Sequence, residues 1–268
     1  MGVGRQKENW EKLANVDPYW SILVDSSKID NKWDPDQFYA TGSTQIRKVL
    51  DFLTENKIKF LKLSALDYGC GAGRLSEAMA ESFDHVTGVD FSQTMINVAK
   101  AHNKYKNLNY EWTNGENLSN FSTGTFDFII SLITLQHSPS KVQIDILREM
   151  IRVVKDDGVI VVSVVTHTGI LNYLRNIANR ISPWLTNFIL EIWQKVVGRK
   201  MGHYDIGAAS QMFPVSRKKI ERLLIGLGKK YLYLKTNRLS YDANSELEAF
   251  IIFSSDKIRY NQYSKCDL

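Results

Sequence analysis

The sequence predicts a doubly wound α/β protein with a mostly parallel sheet, and two observations favour that fold. From residue 61 onwards, short apolar segments of strand length alternate with segments that have helical periodicity. One of the strand-like segments, Val159–Val165, is rich in β-branched residues, as is typical of a strand buried on both faces. Strands that alternate with helices favour parallel pairing through right-handed crossovers.

The first 60 residues predict helices and connectors. Two Asp-Pro steps, at residues 17–18 and 34–35, each place a capping side chain before a proline at a first helical position. Ser43 is predicted to cap a helix that runs to about Glu55. Because the segment is rich in aromatic residues, we expect a helical flap that either packs on the core or closes over a ligand.

The alternating region supplies the predicted strands and helices of the core. The strands are Leu63–Tyr68, Val86–Asp90, Leu108–Trp112, Phe126–Ser131 and Val159–Val165. The helices between them are Arg74–Ser82, Ser92–Lys104 and Lys141–Val154. Later in the chain, Ser216–Leu227 predicts a helix, and Lys230–Asn237 and Leu247–Ser254 predict two strands with no helix between them. Two strands so close in sequence favour an antiparallel pair that closes one edge of the sheet.

Residues 169–212 contain no predicted strand. Apolar residues recur there at helical spacing in two stripes, which predicts an inserted helical hairpin. Because the hairpin follows the last strand of the alternating region, we expect it above the carboxyl edge of the sheet as a lid. The predicted organisation is a helical flap at 1–60, a cofactor-binding core at 61–168, a helical lid at 169–212 and the remainder of the core at 213–268.

Composition and charge exclude several classes of protein. Hydrophobic residues make up 44% of the 268, which excludes a disordered chain, and no apolar run approaches the ~18 residues of a membrane-spanning helix. With two cysteines, Cys70 and Cys266, and no secretory leader, we expect a cytoplasmic protein without disulfides or a structural metal site. The net charge of +5 is uneven, because residues 169–268 carry 16 basic and 8 acidic side chains. That part can attract an anionic acceptor, a nucleic acid or a membrane surface, or can be a solvated face.

The most informative segment is Ala65–Arg74, which follows a predicted strand and opens a predicted helix. Its glycines let the backbone approach a ligand closely. The pattern is G-x-G-x-G, because Arg74 stands where a dinucleotide fingerprint requires its third glycine. Asp67 would repel a pyrophosphate, whereas Asp90, 19 residues after Gly71, is placed to take ribose hydroxyls. The expected ligand carries a ribose and a cationic amino-acid end but no diphosphate.

Five segments in order resemble the motifs of the class I S-adenosylmethionine-dependent methyltransferases. They are Leu66–Arg74, Val86–Met95, Asn114–Leu118, Phe126–Ser131 with Leu135–His137, and Asp156–Gly158. The resemblance covers about residues 40–167 and resumes after residue 212. It implies a seven-stranded, Rossmann-like methyltransferase sheet with one antiparallel edge strand. It also implies S-adenosyl-L-methionine as the methyl donor and S-adenosyl-L-homocysteine as the product.

The resemblance further implies which residues bind the cofactor. The glycine loop would approach the methionine moiety and the ribose, Asp90 would hold the ribose hydroxyls, and Phe91 and Met95 would pack near the adenine. The full implied set is Asp67, Gly69, Cys70, Gly71, Gly73, Arg74, Asp90, Phe91, Met95, Asn114, Gly115 and Ser131.

A general base is needed only when the acceptor must lose a proton, and histidine is the first candidate. His137 follows the fourth predicted strand and His167 ends the fifth, so both are expected at the carboxyl edge of the sheet. Each acts either as the base or as part of the pocket lining. The residues expected to bind the acceptor are Tyr39, Gln136, Trp184, His203 and Tyr204.

The expected activity is methyl transfer to an oxygen or nitrogen of a small molecule that is sugar-containing, lipid-like or a secondary metabolite. Nucleic acid is a disfavoured acceptor, because Ser131–Thr134 lacks the Asn/Asp-Pro-Pro-Tyr motif of enzymes that methylate nucleobase amino groups. Two alternatives stay open: an NAD-dependent oxidoreductase and a catalytically inactive methyltransferase-like binding protein. The apolar stripes and basic residues of the lid also leave a peripheral membrane contact and a homodimer open.

Overall fold

Seven strands form one mixed sheet in the computed structural model, which describes residues 3–166, 212–236, 238–240 and 247–253. The strands are β1 (Ser64–Tyr68), β2 (His85–Asp90), β3 (Leu108–Trp112), β4 (Phe126–Ser131), β5 (Val154–Val164), β6 (Lys230–Thr236) and β7 (Leu247–Phe253). Their order is β3-β2-β1-β4-β5-β7-β6. The first five strands pair in parallel, and β7 runs antiparallel to both β5 and β6. The predicted fold class is confirmed, with the reversed strand β7 lying just inside the edge strand β6.

Helices connect the strands and cover both faces of the sheet. They are α1 (Val3–Val16), α2 (Pro18–Ile22), α3 (Pro35–Glu55), α4 (Arg74–Ala80), α5 (Gln93–His102), α6 (Ser140–Val153) and α7 (Arg217–Gly226), with a 3-10 turn at Leu135–His137. Within the described ranges, no helix is both long and apolar enough to cross a bilayer. The predicted lid at 169–212 lies, apart from Met212, outside the described residues.

Side-chain caps start two helices of the flap as the sequence predicts. Asp17 and Asp34 each accept a hydrogen bond from a backbone N–H three residues further on, and a proline follows each of them. The prediction that Ser43 begins a helix is wrong, because Ser43 lies in the middle of α3. No break occurs there, since Gly42 is accommodated within the helix by a close contact with α4.

The two faces of the sheet carry separate apolar clusters. Ala65 of β1 packs with apolar residues of α3, α4 and α5, whereas Leu66, the next residue, packs with those of α6 and α7. Both side chains have no solvent exposure. Burial on both faces is why the strands of this sheet have nearly continuous apolar sequences instead of alternating ones.

The order of the strands determines where a ligand can bind. The chain builds β1, β2 and β3 outwards in one direction, then returns across the sheet to place β4 on the other side of β1. The loops that follow β1 and β4 therefore diverge, which opens a crevice at the carboxyl ends of these strands. Ligands of open α/β sheets bind at such a switch point.

Substitution of Gly42 by alanine is expected to destabilise the fold. A Cβ atom at this position would lie 2.0 Å from the carbonyl oxygen of Arg74, which is backbone and cannot rotate away. We expect Gly42→Ala to lower the free energy of unfolding by about 1–3 kcal/mol, measured by urea denaturation. Gly226→Ala is the matched control, because no atom lies within 4 Å of its added Cβ. Equal stability of the wild type and Gly42→Ala would contradict this account.

Candidate active site

The loop between β1 and α4 can be built only with glycine at key positions. Gly69 and Gly71 have φ angles of 75° and 54°, in the left-handed region that side chains disfavour. A Cβ at Gly69 would lie 2.1 Å from the side chain of Thr134, and one at Gly71 would lie 2.6 Å from that of Ile22. The loop therefore brings bare backbone to the carboxyl end of β1, between the segment that follows β4 and the last residue of α2.

Asp90 joins this loop to the segment that follows β2. One carboxylate oxygen accepts a hydrogen bond from the Gly71 N–H at 2.9 Å, and the other accepts one from the Ser92 N–H at 2.8 Å. Burial raises the pKa of Asp90 above its usual value, although these backbone hydrogen bonds act in the opposite direction. The result is a largely buried carboxylate, 9% exposed, fixed at the junction of two loops.

A cleft of about 1130 Å³, including its solvent-open mouth, lies over these loops. Segments that follow β1, β2, β3 and β4 line it, together with α1 and α2. Nine residues predicted for the site line this cleft: Gly69, Cys70, Gly71, Arg74, Asp90, Phe91, Met95, Gly115 and His137.

Asp67 does not line the cleft. Its carboxylate is 1% exposed and accepts a hydrogen bond of 2.6 Å from the Ser76 hydroxyl of α4. Burial raises the pKa of Asp67 to about 6, partly offset by that hydrogen bond and by Arg74. The expectation that Asp67 faces an ammonium group or repels a pyrophosphate therefore has no support in its position, because the side chain is directed to the start of α4.

Three other residues of the predicted cofactor set also lie outside the cleft lining. Asn114 is exposed, and its side-chain oxygen accepts hydrogen bonds from the two N–H groups that follow Gly115. Ser131 donates its hydroxyl proton to the carbonyl of Tyr68 at 2.9 Å, which ties the ends of β4 and β1 together. Gly73 caps α4 behind the loop. These positions shape the walls of the cleft through their neighbours.

Of the residues predicted to bind the acceptor, the two that are described do not line the cleft either. The Tyr39 hydroxyl donates to the Ala72 carbonyl at 2.7 Å, and its ring stacks on His102 behind the glycine loop. Gln136 is buried, and its backbone carbonyl accepts a hydrogen bond from the backbone N–H of Phe213 at 2.7 Å. The remaining predictions, His167 as a base and Trp184, His203 and Tyr204 as acceptor-binding residues, fall outside the described residues.

The surroundings of Arg74 and Cys70 limit what these two side chains of the cleft can do. The Arg74 guanidinium donates to the Gln45 side chain at 2.7 Å and to the Thr41 hydroxyl at 3.2 Å, so α3 anchors it. Burial beside Asp90 raises the pKa of the Cys70 thiol well above its usual value. Cys70 therefore stays protonated near neutral pH and is not a nucleophile.

His137 lies on the turn after β4, at the opposite side of the cleft from Asp90. The Trp10 ring meets the imidazole edge to face, with the ring centroids 4.9 Å apart. The same segment contains Ile133, whose φ of 60° is rare for a β-branched residue and marks local backbone strain. The Ile133 N–H is held by the Ser163 hydroxyl at 2.6 Å, so β5 fixes the shape of this turn.

The contribution of α1 to the cleft could not be predicted from the sequence. Gln6, Lys7 and Trp10 all line it. Lys7 donates to a carboxylate oxygen of Glu116 at 2.7 Å, and Glu11 accepts the hydroxyl proton of Thr94 at 2.6 Å. The aromatic content of the first 60 residues predicts a flap, but it does not indicate which of their side chains line the cleft.

Metal chemistry has no visible support in this site. Among the residues that the structure describes, no group of three or more His, Cys, Asp or Glu side chains could hold a metal ion. The groups that line the cleft are instead a glycine loop, a fixed carboxylate and an imidazole.

The sheet order and the glycine loop with Asp90 define a Rossmann-like methyltransferase fold. Residues 65–158 match the model of a family described as "Methyltransferase domain". Over these residues the chain is similar to a methyltransferase domain, in agreement with the resemblance of its motifs.

Two relatives match about half of the chain. A ubiquinone biosynthesis O-methyltransferase of Idiomarina loihiensis is 32% identical over 141 residues, which cover 52% of this chain and 56% of the relative. One of Actinobacillus pleuropneumoniae is 30% identical over 142 residues, covering 51% of this chain and 60% of the relative. The chain thus spans little more than half the length of these relatives, so its substrate does not follow from theirs.

Solved structures share the fold at low identity. Magnesium protoporphyrin IX methyltransferase of Synechocystis PCC 6803 with bound S-adenosylhomocysteine has a TM-score of 0.54 and 16% identity, covering 91% of this chain and all of the other. Phosphoethanolamine N-methyltransferase 1 of Haemonchus contortus has a TM-score of 0.57 and 13% identity, covering 98% of this chain and 52% of the other. At these identities the likeness establishes the fold.

The buried Asp67 carboxyl is expected to make stability depend on pH. Since its pKa in the folded protein is raised to about 6, the folded chain binds this proton more tightly than the unfolded chain, and stability falls as pH rises through that range. Relative to the wild type, Asp67→Asn should gain roughly 2–3 kcal/mol in free energy of unfolding between about pH 4 and pH 7. Urea denaturation at both pH values measures the difference.

Asp84→Asn serves as the control for this measurement, because the Asp84 side chain is exposed. Its stability relative to the wild type should change little over the same range. A pH-independent difference between Asp67→Asn and the wild type would show that Asp67 does not retain its proton in the folded protein.

Proposed function

We propose that this chain transfers a methyl group from S-adenosyl-L-methionine to an oxygen or nitrogen of a small-molecule acceptor. The observation that carries the proposal is that the glycine loop, the fixed carboxylate of Asp90 and the imidazole of His137 line one shared cleft. The methyltransferase domain at residues 65–158 contains all of these groups.

The chemistry of the cleft suits a nucleoside with an amino-acid tail. Asp90 offers carboxylate oxygens to the ribose hydroxyls, and the bare backbone at Gly69 and Gly71 allows the sulfur-bearing chain to pass close to the loop. Phe91 and Met95 provide apolar surface for the adenine, since both line the same cleft. Arg74 occupies the position of the third glycine of a dinucleotide fingerprint, and its guanidinium is engaged with α3. For that reason we rank the NAD-dependent alternative below methyl transfer.

The nature of the acceptor is inferred from weaker support. Two of the relatives are named as O-methyltransferases of ubiquinone biosynthesis, and one structural neighbour is a phosphoethanolamine N-methyltransferase. All of these names refer to small acceptors, and both oxygen and nitrogen are represented. We therefore propose a small molecule without choosing between sugar-containing, lipid-like and other metabolites.

The chain's own residues would act mainly by orientation. When bound, S-adenosylmethionine supplies a methyl group on a positively charged sulfur, which needs no further activation. The loop at Gly69–Gly71 and Asp90 would hold the donor end, so that the methyl group points to the side of the cleft formed by the β4 turn. His137, on that turn, would accept the proton from a hydroxyl acceptor during attack, and Trp10 would fix the plane of its imidazole.

Location and assembly remain predictions. We propose a cytoplasmic protein; within the described residues Cys70 is a buried free cysteine, which is compatible with a reducing compartment. The segment for which a peripheral membrane contact and a homodimer were predicted, residues 169–212, lies almost entirely outside the described part of the chain.

Calorimetry and isotope transfer test the proposed function together. S-adenosylhomocysteine should bind the wild type, NAD should not, and Asp90→Ala should weaken binding at least ~10-fold because charge-assisted hydrogen bonds are lost. Methyl-labelled S-adenosylmethionine, incubated with the low-molecular-mass fraction of an extract of the source cells, should transfer label to a small molecule. Binding of NAD in place of S-adenosylhomocysteine would overturn the proposal, and binding without any transfer would favour the inactive alternative.

His137 should matter for turnover and little for cofactor binding. With the labelled donor and a hydroxyl acceptor from that fraction, His137→Ala should reduce the rate ~10²–10⁴-fold, because the acceptor loses its base. The affinity for S-adenosylhomocysteine should remain within about threefold, since the proposed contact is with the acceptor.

His85→Ala is the matched control, because His85 is an exposed histidine at the amino end of β2, far from the cleft. It should leave both quantities unchanged. A loss of rate below tenfold in His137→Ala would assign His137 to the lining of the pocket.

A further inference from the structure

Helix α1 places a polar side chain over the cleft without giving it a partner. Gln6 and Trp10 are one helical turn apart, and both line the cleft. The Nε2 atom of Gln6 is shielded from solvent and has no hydrogen-bond partner among the residues described. A buried amide donor left unpaired costs free energy. A group from outside the protein is therefore expected to accept a hydrogen bond from it.

The flap holds this amide in position from two sides. Lys7 binds the segment after β3, through the Asn114 carbonyl at 2.5 Å and the Glu116 carboxylate at 2.7 Å. Glu11 binds the start of α5, through the N–H and the hydroxyl of Thr94 at 3.2 and 2.6 Å. These contacts hold α1 against the segments after β2 and β3, so the backbone that carries Gln6 has a fixed position over the cleft.

The other strong donors of the cleft are already engaged. The Lys7 ammonium is bound to the segment after β3, and the Arg74 guanidinium is bound to Gln45 and Thr41. A nucleoside with an amino-acid tail presents ring nitrogens, hydroxyls and a carboxylate, all of which accept hydrogen bonds. Such a ligand needs donors from the protein, and Gln6 is a donor that is both available and fixed.

We propose that Gln6 donates a hydrogen bond from Nε2 to an acceptor atom of the bound cofactor, which makes α1 a wall of the cofactor site. This inference rests on the proposed function and adds a binding residue outside the family's matched region at 65–158. It assigns to the flap a direct role in affinity as well as coverage of the cleft.

Isothermal titration of the full chain with S-adenosylhomocysteine tests the assignment. Gln6→Leu keeps the size of the side chain and removes the donor, and it should raise the Kd roughly 5- to 10-fold. Gln6→Glu keeps the shape but replaces the donor with a charged acceptor, so it should bind no better than Gln6→Leu. Glu8→Leu is the control on the same helix, because Glu8 is exposed, and its Kd should stay within about twofold of the wild type.

The outcomes separate this inference from the proposed function. If the wild type and Gln6→Leu bind S-adenosylhomocysteine equally, Gln6 is not a cofactor-binding residue, while the proposed function stands. If the wild type does not bind it at all, both are overturned. Thermal unfolding without ligand accompanies each titration, and a variant that melts with the wild type but binds weakly supports the direct contact. Wild-type affinity in Gln6→Glu would also overturn the inference, because an acceptor cannot replace a donor.

Discussion

The site depends on one carboxylate that holds two loops. Asp90 accepts the Gly71 N–H with one oxygen and the Ser92 N–H with the other, so the segments after β1 and β2 have a fixed separation. Without it, the left-handed glycine loop would lose the contact that positions its backbone, and Ser92 would lose its alignment at the start of α5. Burial opposes ionisation of this group, and the backbone donors offset part of that cost. The same geometry that stabilises the loops also presents the carboxylate to the cleft.

A second constraint comes from the flap, which closes the cleft with side chains instead of backbone. Lys7 and Glu11 attach α1 to the segments after β3 and β2, and between them Trp10 reaches His137. The cleft is therefore bounded by the core on one side and by a helix distant in sequence on the other. The core side of the cleft lies within the matched residues 65–158, whereas the flap lies outside them.

Features with local causes could be predicted from the sequence, and features with distant causes could not. The strands and the glycine loop follow from short patterns, since β-branched runs and left-handed turns are set by neighbouring residues. The orientation of Asp67 towards Ser76 could not be read in advance, because it depends on how α4 packs. The strain at Ile133 depends on a hydrogen bond to Ser163 of β5. The placement of Gln6 depends on the contacts of α1 with the segments that follow β2, β3 and β4. The predicted helix start at Ser43 is wrong because a good capping residue is also tolerated on the exposed side of a longer helix.

The attachment of α1 also has a consequence for synthesis. Its contacts join residues 83 and 109 positions apart, from Glu11 to Thr94 and from Lys7 to Glu116. Contacts between such distant residues form late, because a long loop must close before they can be made. The helix leaves the ribosome early, yet its docking surface is incomplete until the turn at His137 has emerged. During translation α1 therefore docks late, and the cleft acquires its outer wall only after the central strands have assembled.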